Sequence, residues 1–534
     1  MEKVAFAYRE KLCYTAHVRG TDENPEEAVD LGAQTDKRAG IRAATGVGVF
    51  WLAVFPLISG FSYSGMTRAK WLILTAAAPA GLALMITLSA MRRAPRPAFR
   101  RSPPLWALAG YLGWMALSAL LGSQGLLGTG SLRTVLMGSG RYEGLLTLIL
   151  YALVFLSLSL AAPRADVLQW AVAGGLLAFT AVVVLQYAGH NPLGLYPAGR
   201  SARTNYEFQG TIGNIDMNIG YLSLTVPFLT LPWLLRGGPA RAVCFGVGLA
   251  GFALILFMEV QAGLIAMAAL GLYVLALALR RPSVRPRAAL LFAAACLCGL
   301  LRLSVRLPWL DGGDTIALVL PQSRAAMLLL SASLLIGGLV PVFRFFPGPR
   351  CPRWLAAAVP AALCVAVILA LALAPIPPEA GGLWEAHELL NGRAQDGFGS
   401  ERVGVWRVSL EILRTHPLLG TGPDGYRAEL PVTARRLGIA LTQSFDNPHN
   451  LFLWQAVSGG VPGLLLYLAL TALLLVRCAR RGNAGRVLAG CILCWLIQGF
   501  FTFSICLNSP MAWAIFGLIP APVSGVRKRR GSDL

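Results

Sequence analysis

The sequence predicts an all-α protein: a polytopic membrane helix bundle of about 12–14 transmembrane helices with one large, partly helical extracytoplasmic loop. Three observations lead there. Of 534 residues, 56% are hydrophobic and only 13% charged, about half the charged fraction that usually covers a soluble surface. The apolar residues come in runs of about 20, the length that spans a bilayer. The 46 Lys and Arg against 25 Asp and Glu give a net charge of +21, but the excess sits in short clusters between the apolar runs. That placement removes the nucleic-acid reading that the charge alone would invite. A soluble globular enzyme, a disordered chain and a secreted disulfide scaffold are excluded.

Fourteen apolar windows follow in order: 45–62, 71–91, 105–121, 144–162, 167–188, 217–235, 242–258, 261–280, 288–302, 324–343, 354–374, 450–476, 487–506 and 511–526. The last is short and ends on Pro520 and Pro522. With the N-terminus inside, alternation puts 23 basic residues in short inner segments and nine in short outer ones, the bias that orients membrane proteins. The chain then divides into a cytoplasmic polar tail (1–44), an N-terminal bundle of about eleven helices (45–374), a large outer loop (375–449), C-terminal helices (450–526) and a basic cytoplasmic tail (527–534). The first helix is expected to serve as an uncleaved insertion signal. Of ten cysteines, seven lie in apolar runs and the others (Cys13, Cys351, Cys478) in segments placed inside, so no disulfide framework is implied. The Cys491–Cys494 spacing inside an apolar run reads as small core residues.

Candidate chemistry gathers in the outer segments. His449 lies in SFDNPHNLFLW (444–454), where the large loop re-enters the membrane. A histidine at the rim of a bundle, three residues after Asp446, is a reasonable general base; the other reading is an interfacial histidine with Asn450 as a helix cap. His190 and His387 read as loop residues, and His416, before Pro417, as a cap of helix carbonyls. In SERVGVWRVSLEILR (400–414), Val403, Trp406, Leu410 and Leu413 form one stripe of an amphipathic helix, with Arg407, Glu411 and Arg414 on another face. Trp406 suggests a helix lying at the membrane surface. Arg402 starts this helix, where the dipole attracts anions. Arg141 in GSGRYEG and Arg200 with Arg203 in GRSARTNYEFQGTIGN are further outer arginines, and guanidinium forks match phosphate oxygens. PLLGTG (417–422) lacks the GK[ST] ending of a P-loop, and no metal-ligand spacing occurs in the outer loops, so a site without metal or other cofactor is expected.

These residues resemble the O-antigen ligase and polymerase superfamily of cell-envelope glycosyltransferases. The resemblance rests on GSGRYEGLLTLILYALVF (138–155), QGTIGNIDMNIGYLSLTVPF (209–228), RVGVWRVSLEILRTHPLLGTGPDGY (402–426), FDNPHNLFLWQAVSGGVPGLLLYL (445–468) and QGFFTFSICLNSPMAWAIFGL (498–518), in that order. It implies transfer of a glycan from an undecaprenyl-pyrophosphate carrier to a glycan or lipid-glycan acceptor, by ligation or polymerisation, at the outer face of the cytoplasmic membrane. The bilayer is a partner and nucleic acid is not. By the resemblance, His449 deprotonates or orients the acceptor hydroxyl, and Arg402, with Arg141 and Arg203, holds the pyrophosphate. Asn214, Arg407, Asp446 and Asn450 complete the candidate substrate-binding set. The chain departs from the family around MEVQAGLIAM (258–267), where Glu259 and Gln261 are the only polar candidates, and in its helix count. A flippase for lipid-linked oligosaccharides is the main rival; it calls for ionisable residues within the spans, and the windows above hold few. A septal-type cell-wall polymerase and a membrane scaffold are weaker ones.

The orientation has a direct test. Cysteines introduced across 375–449 are expected to react with an impermeant thiol reagent in intact cells, and cysteines at 477–486 to stay unlabelled. Labelling of the second group would invert the arrangement.

Overall fold

The computed structural model describes residues 38–60, 62–91, 102–160, 162–196, 202–307, 317–319, 323–346 and 348–521. Most of the polar N-terminal tail with Cys13 and His17, the basic segment 92–101, Arg200 and the 527–534 tail lie outside them. The first span, α1 (Arg38–Leu57), begins several residues before the apolar window and ends in a π-helical turn followed by a 3-10 turn. Then come α2 (Tyr63–Ala90), α3 (Pro103–Leu121), the short α4 (Leu132–Met137), α5 (Leu145–Ser159), α6 (Ala165–Tyr187) and the short α7 (Ala202–Glu207). Next are α8 (Ile215–Arg236), α9 (Pro239–Met258), α10 (Gln261–Arg280), α11 (Arg285–Ser304), α12 (Arg324–Phe345) and α13 (Arg353–Leu373). The large loop holds α14 (Gly382–Leu390), α15 (Arg402–Thr415) and α16 (Tyr426–Leu437), and the chain finishes with α17 (Leu451–Ala479), α18 (Gly482–Phe501) and α19 (Ser509–Gly517). Among the described residues, twelve helices are long and apolar enough to cross a membrane; α5 and α19 are apolar but shorter. Two ribbons of two residues per strand, Phe208–Gln209 with Gly213–Asn214 and Val305–Arg306 with Ala317–Leu318, are the strands of the described residues.

α8 is the central post. It packs against α6, α9, α10 and α18, and nearly all of its residues are buried. Its polar residues Asn218, Ser223, Thr225 and Thr230 face protein, as polar side chains in a bilayer must. α12 and α13 are the opposite case: few of their residues are buried and they are apolar, α12 packing on α11 and α13 on α10 and α14, as helices with a lipid-facing side do.

The helix ends sort into two groups. At one end lie the segments after α3 and before α8 and the large loop: Ser123 and Gln124 donate backbone N–H to Gly420 O and Thr421 O at 3.3 and 3.0 Å, and Tyr63 Oη donates to Gly210 O at 2.9 Å. Lys70 and Asp216, which the apolar windows left just outside, fall inside helices near this end, Asp216 in the first turn of α8 and Lys70 as the eighth residue of α2. Lys70 Nζ donates to the carbonyls of Phe55 and Pro56 (3.3 and 3.1 Å) at the irregular end of α1, which also accept from Ile58 N and Thr211 Oγ1. At the other end the basic connections meet. Arg281 Nη1 donates to Asn483 Oδ1 at 2.8 Å, Arg285 Nη2 to Pro349 O at 2.6 Å and Arg287 Nε to Leu234 O at 2.8 Å.

The large loop is ordered by its own small core. Val405, Val408, Ile412, Tyr426, Leu430, Ala434 and Phe445 pack together and against Val457 of α17. The row of α15 buried in protein is therefore Val405–Val408–Ile412, a second apolar row beside the Val403–Trp406–Leu410–Leu413 stripe, on which Leu410 is 54% exposed. Small Gly404 and Ser409 let α15 approach its neighbours on that row. His416 does not cap carbonyls with its ring, which lies 3.8 Å from Glu429.

The loop is fastened where α17 breaks. Gly460 has φ 67° and ψ −174°, and Pro462 follows. The freed carbonyls of Val457 and Ser458 accept from Thr421 N and Gly422 N at 2.8 and 3.0 Å, and Val461 N donates to Pro417 O at 2.8 Å. Ser118 Oγ at the end of α3 reaches both Leu419 O and Ser458 O (2.5 and 2.6 Å). A Cβ at Gly460 would overlap Leu418 O, and one at Gly420 would overlap Val457 O. Gly460→Ala is expected to lower the thermal midpoint in detergent well beyond Gly438→Ala, whose residue shares φ 67° but meets nothing within 4 Å, so that only left-handed strain of about 1–2 kcal/mol is added there. Equal losses would locate the effect in backbone strain alone and not in the clamp.

Candidate active site

Two turns carry the candidate residues, and each is over-determined by its neighbours. In GSGRYEG, Gly138, Gly140 and Tyr142 all have positive φ (91°, 134° and 59°). Ser139 N donates to Asp424 Oδ2 at 2.5 Å, Tyr142 stacks on Trp71 at 4.9 Å, and Tyr151 Oη donates to buried Glu143 at 2.7 Å. Arg141 is the residue left pointing away from these anchors. In SFDNPHN, Asn447 Oδ1 accepts from His449 N at 2.9 Å and Asn447 Nδ2 donates to Asp446 Oδ1 at 2.8 Å. Trp406 Nε1 donates to Pro448 O at 3.0 Å, and His449 itself has φ 50°, a strained value for a non-glycine residue of the kind that clusters at functional sites.

The loop clamp brings these turns together. Arg141 Nε donates to Asp446 Oδ2 at 2.5 Å, and its guanidinium carbon lies 5.3 Å from the ring centre of Phe503. The His449 ring sits between Phe503 and Phe445, at centroid distances of 4.5 and 5.4 Å. Arg402 opens α15 beside it: Nη1 donates to Gly399 O at 3.3 Å, Nη2 stands 4.0 Å from Asp216 Oδ2, and the buried Nε has no hydrogen-bond partner. Burial pushes the His449 imidazole down to about 3, Arg402 and then Arg141 add to the depression, and Asp446 opposes it. The ring is therefore neutral at physiological pH, with neither nitrogen hydrogen-bonded among the described residues. Asp446 serves Arg141, not the ring that the sequence reading gave it to orient.

The other candidates divide. Asn214 Oδ1 caps α8 on Asp216 N at 2.8 Å, and Asn450 Oδ1 caps α17 on Phe452 N and Leu453 N at 2.9 and 3.0 Å. Both hold site residues in place from helix N-termini. Arg407 is turned to Asp396 at 2.6 Å on the exposed face of α15, away from the imidazole's neighbours. Arg203 falls in α7, and its side chain lies outside what the structure describes. Glu259 is taken by Arg302 at 2.5 Å.

Sequence reading missed four contributors. Phe445 and Phe503 wall the imidazole, Asp216 faces Arg402, and Asp424 anchors the Arg141 turn; burial raises the Asp424 carboxyl to about 6. Asp216 stood two residues after Asn214 in a motif already singled out, which was the available signal. A small cavity lined by Arg141, Glu143, Asp424, Asp446, Trp454 and Phe503 opens beside the pair. Among the described residues no group of three His, Cys, Asp or Glu could hold a metal.

Residues 313–468 match the family model described as O-antigen ligase. Over that segment the chain is similar to the O-antigen ligases. The match covers less than a third of the chain and includes Arg402, Arg407, Asp446, His449 and Asn450, whereas Arg141, Arg203 and Asn214 precede it. No curated protein matches the chain. The membrane-crossing helices describe a multi-pass membrane protein, and its segment 313–468 is similar to the O-antigen ligase family.

Because the folded imidazole titrates near 3 and a free one near 6.5, the unfolded chain takes up a proton between these values that the folded chain does not. Stability due to His449 is thus fully present above about pH 6.5 and lost as pH falls toward 3. His449→Gln, which cannot titrate, is expected to flatten the fall of the thermal midpoint across this window; an unchanged slope would mean that the ring is charged in the folded protein.

Proposed function

We propose that the protein transfers a glycan from an undecaprenyl-pyrophosphate carrier to an acceptor hydroxyl, by ligation or polymerisation, at the outer face of the cytoplasmic membrane. The observation that carries this reading is the neutral imidazole set beside two arginines with unused donors. Arg402 Nε and the Nη groups of Arg141 face the same locality as His449, which is what a diphosphate leaving group and an attacking hydroxyl require. The end with the long loops is assigned to the outside because the basic connections gather at the other end.

In the proposed reaction the acceptor oxygen attacks the anomeric carbon. The bond from that carbon to the pyrophosphate oxygen breaks, and the carrier leaves as the free pyrophosphate. Arg141 and Arg402 offset the charge that grows on it. His449 takes the hydroxyl proton. A base titrating near 3 is weak, but the depression comes partly from the two guanidinium groups. A bound diphosphate offsets those charges and raises the imidazole toward its ordinary value, so the base gains strength when donor is present. The two arginines supply the charge compensation that other phosphate-handling sites take from a metal ion.

The test is glycan transfer from a lipid-linked oligosaccharide by purified protein, measured beside donor affinity. His449→Ala is expected to lose ~10²–10⁴ in rate with donor binding retained. Arg402→Lys is expected to lose ~10²–10³ although the charge is kept, since an ammonium lacks the planar fork. Unchanged transfer by His449→Ala would remove the proton-transfer role. Translocation of donor without transfer by the wild type would favour a transporter.

A further inference from the structure

A second cavity, of about 480 Å³, lies at the basic end of the bundle, far along the helices from His449. The starts of α6, α9 and α18 and the last turns of α8 enclose it. Its wall is apolar, with Trp170, Phe228, Leu235 and Val487, and three guanidinium groups (Arg236, Arg241 and Arg481) stand on its rim.

These groups have donor capacity to spare. Arg236, in the last turn of α8, makes no hydrogen bond or ion pair among the described residues. Arg241 uses only Nη1, on Gly237 O at 3.1 Å. Arg481 uses Nη1 on Leu518 O and Ile519 O, which ties down the end of α19. The carboxylate on the rim, Asp166, is held by Arg164 at 2.7 Å, so it does not cancel the positive field. The independent observation is Gln169. It lines the cavity at 8% exposure, and its Nε2 is buried with no partner. A buried amide donor left unsatisfied costs free energy unless a ligand accepts from it.

We propose that this cavity binds an anionic glycerophospholipid. The phosphate lies on Arg236 and Arg241, an ester or phosphate oxygen accepts from Gln169, and one acyl chain runs along Trp170 and Phe228. A basic pocket between spans at the positively charged end is the geometry that recognises such headgroups. A free phosphate leaves the apolar wall bare, and a zwitterionic lipid brings its own cation to a rim that already holds three guanidinium groups. The site is independent of the glycan reaction; it needs only the membrane setting.

Native mass spectrometry of the purified full chain, titrated with phosphatidylglycerol or phosphatidylcholine, reads the site. Phosphatidylglycerol is expected to form the retained adduct and to raise the thermal midpoint, and phosphatidylcholine to do neither. The double variant Arg236→Gln with Arg241→Gln is expected to weaken the adduct roughly tenfold or more, and Gln169→Leu several-fold. Arg344→Gln, exposed and away from the cavity, is expected to bind as wild type. Arg236→Gln alone removes no contact of the fold, so its loss of lipid cannot be put down to unfolding. Undiminished binding by the double variant, equal retention of both lipids, or equal stabilisation by inorganic phosphate would each overturn the proposal.

Discussion

At Gly460 the backbone of α17 leaves the helix, and the carbonyls it frees sit inside a membrane bundle where no bulk water reaches them. Such groups must be paired by protein. Here the pairing comes from Pro417–Gly422, a stretch that belongs to the large loop and not to the bundle. The exchange runs both ways, since the loop has no sheet or helix of its own at that point to satisfy its N–H groups. With Ser118 joining α3 to the same knot, the loop's orientation is set by main-chain hydrogen bonds, which tolerate little angular error. Everything at the candidate site inherits its place from this joint. Asp424, two residues beyond Gly422, holds the Arg141 turn, and α15, packed on α17 through Val457, holds Arg402.

The electrostatics follow from that placement. Two cations beside a histidine in a partly apolar recess keep it uncharged, and Asp446 compensates Arg141 without pairing with the ring. Under the proposed reaction the free protein holds an underpowered base and an under-compensated anion site, and one dianionic ligand corrects both. Donor binding and proton transfer then share a single charge balance, so they cannot be tuned separately by changing one arginine.

Much of the architecture could be read from residue patterns, because a 20-residue apolar run between basic clusters has few other meanings in water or lipid. The errors were local. α1 already runs through Arg38–Ala44, ahead of the apolar window, because a long polar side chain can extend a span toward the interface, which a hydrophobic window counts as a boundary. The protein-facing row of α15 was missed because the helix has two apolar rows, and hydrophobicity does not say which row meets protein. Small Gly404 and Ser409 beside the Val405 row are what make it the packing face. At the site, single residues were visible through motif and type, but their pairing was not. Arg141 and Asp446 stand 305 positions apart, and only the folded clamp makes them neighbours. Asn214 and Asn450 were picked for the substrate-binding set, with a helix cap as the other reading of Asn450; their Oδ1 atoms cap helix N-termini, a role that spacing alone does not separate from binding.

The clamp also sets an order of events in time. Ser118 and its acceptor Leu419 are 301 positions apart, so at ~5–20 residues per second the ribosome delivers the second roughly 15–60 s after the first. For that interval α3 and its neighbours reside in the membrane with an unclosed edge. The half-built bundle must be stable enough to wait, and the late-arriving loop is the piece that seals it.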